Sequence, residues 1–332
     1  MRLAHREVVI ALMEPFVSNT GVTTEVRQSI VEMTWEGLLG HGTARGADPA
    51  ELDTCARLLA GTSPYGLHGA LDRLTRVSPA TRSAVDMALH DLLGKAAGQP
   101  LHRLLGLDGL PVEPTALSIG ACSDDELVKQ AGQLADWPIL KLKLTPEDDG
   151  SRAGVLRSVY DGRIRVDGNG SWTPDQALRV AEKLHRHGVE LLEQPVAPGT
   201  LDDLRYVHER SPIPVFADED CIGREDVLRL RGRVSGINIK LVKCGGLTHA
   251  HEMLTLARAC GLKTMLGCKV ESALGTTAMA QLAGLADHLD LDGPVGLLDD
   301  PFTGVRIDRG VLALPVAPGI GATPVHEIHG KD

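Results

Sequence analysis

Ile139-Leu-Lys-Leu-Lys143 alternates strictly between apolar and charged residues. A period of two is that of a β-strand, so Lys141 and Lys143 share one face and Leu140, Leu142 and Leu144 the other. The leucine face calls for helices packed against it. The lysine face then turns inward, where two ammonium groups are costly unless carboxylates or a bound anion meet them. The motif recurs. Ile164-Arg-Val-Asp167 brings the next charge 24 residues after Lys143, and Val189-Glu-Leu-Leu-Glu193 follows 26 residues later. Asp218, behind Pro214-Val-Phe-Ala217, comes after 25 more, and Ile237-Asn-Ile-Lys240 after a further 22. Each interval is about one strand–loop–helix–loop unit. A ladder of charges at the carboxyl ends of successive parallel strands is how a (β/α)8 barrel builds an active site.

Working outward, strands are expected to begin near 113, 139, 164, 189, 214, 236, 263 and 288. Helical patterns fill the gaps at 124–135, 173–187 and 246–260, with Asp124 and Thr173-Pro174 as helix starts. Eight such alternations favour a closed barrel over a doubly wound sheet, and no G-x-G-x-x-G follows the first strand. Upstream, residues 6–42 read as extended, interrupted by a turn-rich candidate loop at Glu14–Gly21. Helices are expected at 49–60, 64–76 and from Ser78-Pro79 to Gly98. The fold expected is α/β: a (β/α)8-type barrel, or modified TIM barrel, over 108–304. An α+β capping domain at 1–107 precedes it, and a C-terminal tail at 305–332 returns to complete that domain. The run Gly310-Val-Leu-Ala-Leu-Pro315 is expected to leave the barrel and pack on the capping domain.

Composition narrows the class. A net charge of -10 argues against a nucleic-acid surface. No apolar stretch approaches membrane-spanning length, and Met1-Arg-Leu-Ala-His-Arg6 leads into a strand without a cleavage pattern. The cysteines at 55, 122, 221, 244, 260 and 268 form no C-x-x-C pair, as expected of a reducing cytoplasm. A cytoplasmic enzyme with a small-molecule substrate follows, and a homo-oligomer is compatible with it.

Asp167, Glu193 and Asp218 arrive from three consecutive strands. Three hard oxygen ligands with room for water or substrate oxygens suit Mg²⁺; the plainer alternative is surface pairing with Arg or Lys. Like-charge repulsion between Lys141 and Lys143 is expected to lower their pKa values and help one act as a base. Lys240 can point into the barrel mouth, and Lys243 is expected to hold loop carboxylates. Strands two and six are nearly opposite in a ring of eight, so Lys143 and Lys240 can address two faces of one carbon. Asp290 and Asp292, alternating about Leu291, put two carboxylates on one face. They either hold a substrate ammonium or cap a turn at Gly293-Pro294. The histidines show no H-E-x-x-H or zinc spacing.

Lys-Leu-Lys at 141–143, Val-Asp-Gly-Asn at 166–169, Glu-Gln-Pro at 193–195, Ala-Asp-Glu at 217–219 and Ile-Asn-Ile-Lys at 237–240 together resemble the enolase superfamily, in its muconate-lactonizing branch. The resemblance spans nearly the whole chain. It implies Mg²⁺ on the three acids and lysines flanking the substrate's α-carbon, with an ene-diolate stabilised by the metal. Asp-Leu-Asp-Gly-Pro at 290–294 resembles the dipeptide epimerases, in which the paired acids receive the dipeptide's α-ammonium. Lys240-Leu-Val-Lys-Cys-Gly-Gly246 and Leu266-Gly-Cys-Lys-Val-Glu-Ser272 fit the same group. The implied activity is inversion of the C-terminal residue of a dipeptide, L,L to L,D. Lys141 would offset charge, and the 14–23 loop would close over the side chains. Two departures bear on side-chain preference: segment 14–23 has no Arg, and Lys269 stands where an apolar residue is usual. N-acylamino acid racemisation, o-succinylbenzoate synthesis and muconate cycloisomerisation share the metal and lysines but need no ammonium site. A non-catalytic acid-binding descendant is the alternative from another class.

Overall fold

The computed structural model describes residues 1–19, 21–110 and 112–325. Thr20 of the candidate loop and residues 326–332 of the expected tail lie outside them. The chain opens with an antiparallel sheet of β1 (Arg2–Ser18), β2 (Gly21–Trp35) and β3 (Leu38–Ala44). Of the candidate loop, residues 14–18 and Gly21 belong to the far end of the β1–β2 hairpin: Phe16 pairs with Thr23, Val17 with Val22 and Ser18 with Gly21. The pairing register shifts between Ala11 and Phe16. Pro15 falls in that irregularity, where its missing N–H costs no ladder bond.

Three helices follow, α1 (Pro49–Leu59), α2 (Leu67–Asp72) and α3 (Pro79–Ala97). α1 starts as expected because Asp48 Oδ1 accepts from Ala50 N at 2.8 Å. α3 is capped by Ser78 and ends at Gly98, whose φ of 66° favours glycine. The helix expected over 64–76 is shorter: one 3-10 turn at Pro64–Gly66 leads into α2. α3 lies directly on β3, since a Cβ at Gly42 would come within 1.9 Å of Ala84 O.

Past the short α4 (Leu101–Leu104) come the barrel strands β4 (Leu117–Ile119), β5 (Ile139–Lys143), β6 (Arg163–Asp167), β7 (Val189–Glu193), β8 (Val215–Ala217), β9 (Gly236–Ile239), β10 (Lys263–Gly267) and β11 (His288–Asp290). They are hydrogen-bonded in sequence order and all parallel. The first begins at Leu117, four residues later than expected. Thr115 makes only an isolated parallel bridge to Leu289, and this bridge closes the ring. The outer helices are α5 (Asp124–Gln133), α6 (Arg152–Arg157), α7 (Pro174–Arg186), α8 (Leu201–Arg210), α9 (Arg224–Leu230), α10 (Leu241–Cys244), α11 (Leu247–Ala259) and α12 (Ala273–Ala280). Leu140, Leu142 and Leu144 are buried in the core against these helices, and Lys141 is fully buried inside the barrel. Among the described residues, no helix is long and apolar enough to cross a membrane.

The tail carries β12 (Phe302–Thr303), β13 (Arg306–Asp308), β14 (Val311–Ala313) and β15 (Thr323–Pro324). Contrary to expectation, the run 310–315 stays with the barrel. Gly310 O accepts from Thr115 N at 2.8 Å, and Leu312 and Leu314 pack on the barrel core. The return to the capping domain is made further on. Leu101 N donates to Gly319 O (2.8 Å) and Gly319 N to Gln99 O (3.0 Å).

One buried carboxylate fastens this junction. Asp91 Oδ2 accepts from His41 N on β3 (2.9 Å) and from Lys95 Nζ (2.7 Å), while Oδ1 accepts from Ile320 N in the tail (2.9 Å). Asp91→Ala would leave two buried N–H groups without an acceptor and remove the carboxylate partner of Lys95, whose ammonium would keep only Leu39 O. It is expected to destabilise the fold by about 3–5 kcal/mol, measured by denaturant unfolding. A loss below about 1 kcal/mol, the size of an ordinary surface change, would show that Asp91 does not hold the tail in place.

Candidate active site

Backbone register assembles the site. Lys143, Asp167 and Glu193 are the last residues of β5, β6 and β7, and they pair directly across the sheet. Asp218 and Lys240 each follow the last residue of β8 and β9, and Asp290 ends β11. β5 and β9 are four steps apart in a ring of eight, so Lys143 and Lys240 face the barrel axis from opposite sides.

Lysines and carboxylates interleave there. Lys143 Nζ lies 2.5 Å from Asp167 Oδ2, and Lys240 Nζ 2.7 Å from Asp218 Oδ2. Lys243, on α10, binds both the carboxylate and the carbonyl of Asp218, the supporting role expected of it. Lys141 Nζ is 2.6 Å from both Glu193 Oε2 and Asp290 Oδ2, and 3.4 Å from Asp167 Oδ2. Asn238 Nδ2 donates to Glu193 Oε1 (2.8 Å), and Asn169 N to Asp167 Oδ1 (2.9 Å).

The expected lowering of the lysine pKa values fails for Lys141. Burial works against its charge, but Asp290, Glu193 and Asp167 outweigh burial and hold its pKa well above the usual value. Lys240 behaves alike: burial is overcome chiefly by Asp218 and Glu193, and its pKa rises. Among the acids, burial is outweighed for Asp167 by Lys143 and Lys141, giving about 2, and Asp218 falls further through Lys240 and Lys243. Glu193 moves the other way, to about 7, pushed by burial and then by the charge of Asp167.

The donor set fits a hard divalent cation. Glu193 Oε2 is buried and has no hydrogen-bond partner, since its approach to Lys141 is outside hydrogen-bonding geometry. Glu219 Oε2, in the following loop, is similarly orphaned. Three converging carboxylates, one with an oxygen to spare, match the oxygen ligation that Mg²⁺ requires. A second group, Glu113, Glu190 and His288, brings three ligand atoms within 4.8 Å of one another near the opposite end of the strands. A cation already sits among them: Arg165 Nε donates to Glu190 (2.8 Å), and Nη2 approaches Glu113 (3.3 Å) and His288 (3.1 Å). That cluster is an ion network plugging the barrel base. Sequence reasoning passed over it, although Arg165 alternates with Asp167 and so had to face inward.

Above the ladder lies a cavity of about 810 Å³, lined by Lys143, Asp218, Lys240, Asp290, Asp292 and the hairpin stretch 12–18. The hairpin is fastened over the mouth. Ala121 N donates to Val17 O (2.8 Å), Met13 N to Gly296 O (2.8 Å) and Asn19 Nδ2 to Asn169 O (2.9 Å). Asp292 Oδ2 accepts from Ser118 N (2.7 Å), while Asp290 Oδ1 is buried without a partner. Burial, then the charge of Asp290, raises the Asp292 pKa. Lys269 lines the same cavity, and so does Arg45, just past β3 in the capping domain. Arg45 was not foreseen; nothing in Ala44-Arg-Gly46 distinguishes it from a surface arginine.

Residues 2–106 match the mandelate racemase / muconate lactonizing enzyme N-terminal domain, and residues 125–328 match the enolase C-terminal domain-like family. The chain belongs to this enolase-superfamily family. It is 34% identical to the L-Ala-D/L-Glu epimerase of Bacteroides thetaiotaomicron, over 98% of this chain and 88% of that one. It is 37% identical to the L-Ala-D/L-amino acid epimerase of a Maribacter species, over 79% and 77% respectively. The crystal structure of the Enterococcus faecalis dipeptide epimerase complexed with Mg and L-Leu-L-Tyr superposes with a TM-score of 0.91. It is 31% identical to this chain and covers 97% of it and 99% of its own length. The long hairpin, the eight parallel strands and the carboxylate ladder are thus features of an enolase-superfamily chain.

Proposed function

We propose that the protein inverts the α-carbon of a dipeptide's C-terminal residue, L,L to L,D. In this reading Asp167, Glu193 and Asp218 hold Mg²⁺, and Lys143 and Lys240 act as the two proton-transfer groups. The protein is a dipeptide epimerase, an isomerase that uses Mg²⁺. The observation that carries the assignment of roles is the opposition of Lys143 and Lys240 across a cavity that Asp218 lines, each lysine paired with one of the acids.

Bound there, the metal would supply Lewis-acid stabilisation of the charge that develops on the substrate carboxylate. Lys141 adds a fixed ammonium on the same side. Lys143 and Lys240 stand on opposite faces of the α-carbon: one removes the proton and the other returns one to the far face. Each is paired with one of the carboxylates that would hold the metal, Lys143 with Asp167 and Lys240 with Asp218. Asp290 Oδ2 is taken by Lys141, leaving Oδ1 together with Asp292 to receive the substrate ammonium. The fastened hairpin shields the reacting carbon from water. A cytoplasmic location is part of the same proposal, supported by six cysteines that are all free.

The ammonium site separates this reading from N-acylamino acid racemisation. Asp292→Asn is expected to lose about 2–5 kcal/mol of kcat/KM for a free-amine dipeptide, the range for breaking a buried charge pair. An N-acetylated dipeptide should be a poor substrate for the wild type and be little affected by the change. Equal turnover of both compounds by the wild type would reject the ammonium role and favour the racemase.

A further inference from the structure

The cations around the cavity divide into two groups. Lys141, Lys143, Lys240 and Lys243 each touch carboxylates of the ladder. Lys269 makes no hydrogen bond or ion pair among the described residues. Arg45 makes one hydrogen bond, from Nη1 to Val270 O at 3.2 Å. Both line the cavity. That hydrogen bond joins the capping domain to the loop after β10, so the two cations stand on one wall. The carboxylates nearby do not balance them. Glu271, beside Arg45, is pushed up to about 8 by burial, and Asp218, the carboxylate acting on Lys269, is already held by Lys240 and Lys243. Glu14 lies on the exposed hairpin rim. Lys269 is exposed on the cavity wall, and partial burial and then the charges of Lys240 and Arg45 lower its pKa, against the opposing pull of Asp218.

We infer that Arg45 and Lys269 form an anion subsite for a side-chain carboxylate on the dipeptide's C-terminal residue. The inference rests on the dipeptide-epimerase reading, which accounts for the other charges of the substrate. The α-carboxylate goes to the metal end, and the ammonium goes to Asp290 and Asp292. A remaining anion must belong to a side chain. Lys240 faces the α-carbon being inverted, and it lines the same cavity as Lys269 and acts on it through its charge, so the side chain within reach is that of the C-terminal residue. The hairpin stretch 12–18 carries no cation. Specificity for an acidic residue is therefore written on the barrel and capping-domain side of the cavity, not on the lid.

The test compares near-isosteric pairs. L-Ala-L-Glu should exceed L-Ala-L-Gln in kcat/KM by roughly 10- to 100-fold, the worth of a charge-assisted contact. Lys269→Met and Arg45→Met should each shrink that ratio by roughly tenfold, and Lys269→Glu should shift preference toward L-Ala-L-Lys. Equal use of the Glu and Gln dipeptides, or a ratio unmoved by both methionine variants, overturns the subsite. Calorimetric binding of the same pair in the presence of Mg²⁺ gives an independent reading. If no dipeptide is epimerised, the functional reading fails, and binding alone still decides the subsite. Tighter binding of the Glu dipeptide that is lost in Lys269→Met supports it, and equal binding of the pair overturns it.

Discussion

Lys240→Ala is expected to stop epimerisation while leaving proton exchange on one face intact. Lys143 and Lys240 lie half a barrel apart, and neither can reach the face served by the other. A positioned acid–base group contributes roughly 10²–10⁴-fold to a proton transfer, so epimer formation should fall at least that far. Exchange through Lys143 should persist for the epimer whose α-proton faces it and vanish for the other. Lys143→Ala should give the mirror image. The metal end survives the Lys240 change because Lys243 continues to hold Asp218. The measurement is solvent-deuterium uptake in D₂O, each epimer supplied separately and read by mass, with circular dichroism to check the fold. Undiminished epimer formation in Lys240→Ala, or equal loss of exchange from both epimers, would remove the two-sided mechanism.

The features read correctly from sequence were those fixed by local chemistry. Alternation about Lys141 and Lys143 determined which face was interior, and five charges at nearly equal spacing determined the strand ends. Helix starts at Asp48, Ser78 and Thr173 were legible because each side chain caps its own helix. What escaped was set by contacts between distant segments. The stretch 14–18 has turn-like composition, yet it is strand: Phe16, Val17 and Ser18 pair with β2, and Val17 and the neighbouring Met13 are fastened to Ala121 and Gly296 across the cavity mouth. The Lys141 pKa was misjudged because a pairwise view of Lys141 and Lys143 omits Asp290, which arrives from a strand nearly 150 residues later. Arg45 was invisible for the same reason: its role depends on the approach of the loop at Val270.

Glu193→Gln is expected to abolish activity while leaving the metal-free protein folded. Glu193 is fully buried among Asp167, Asp218 and Lys141. Its charge is repelled by the neighbouring acids, so the isosteric amide removes a repulsion as well as an attraction to Lys141. The metal-free variant should therefore unfold at a temperature close to that of the wild type. Mg²⁺ should separate the two proteins. A ligand that binds only the native state adds about 2.7 kcal/mol of stability at 100 times its Kd. The wild type should show a corresponding rise in Tm as Mg²⁺ is added. The variant lacks one anionic ligand and the spare Oε2, so its rise should require roughly 100-fold more metal or be absent. Thermal unfolding across a Mg²⁺ series measures this without any turnover, and deuterium exchange then tests catalysis on the same samples. An equal Mg²⁺ response in both proteins would mean that the metal binds elsewhere. Wild-type epimerisation that survives exhaustive chelation would mean that the three acids serve the lysines alone.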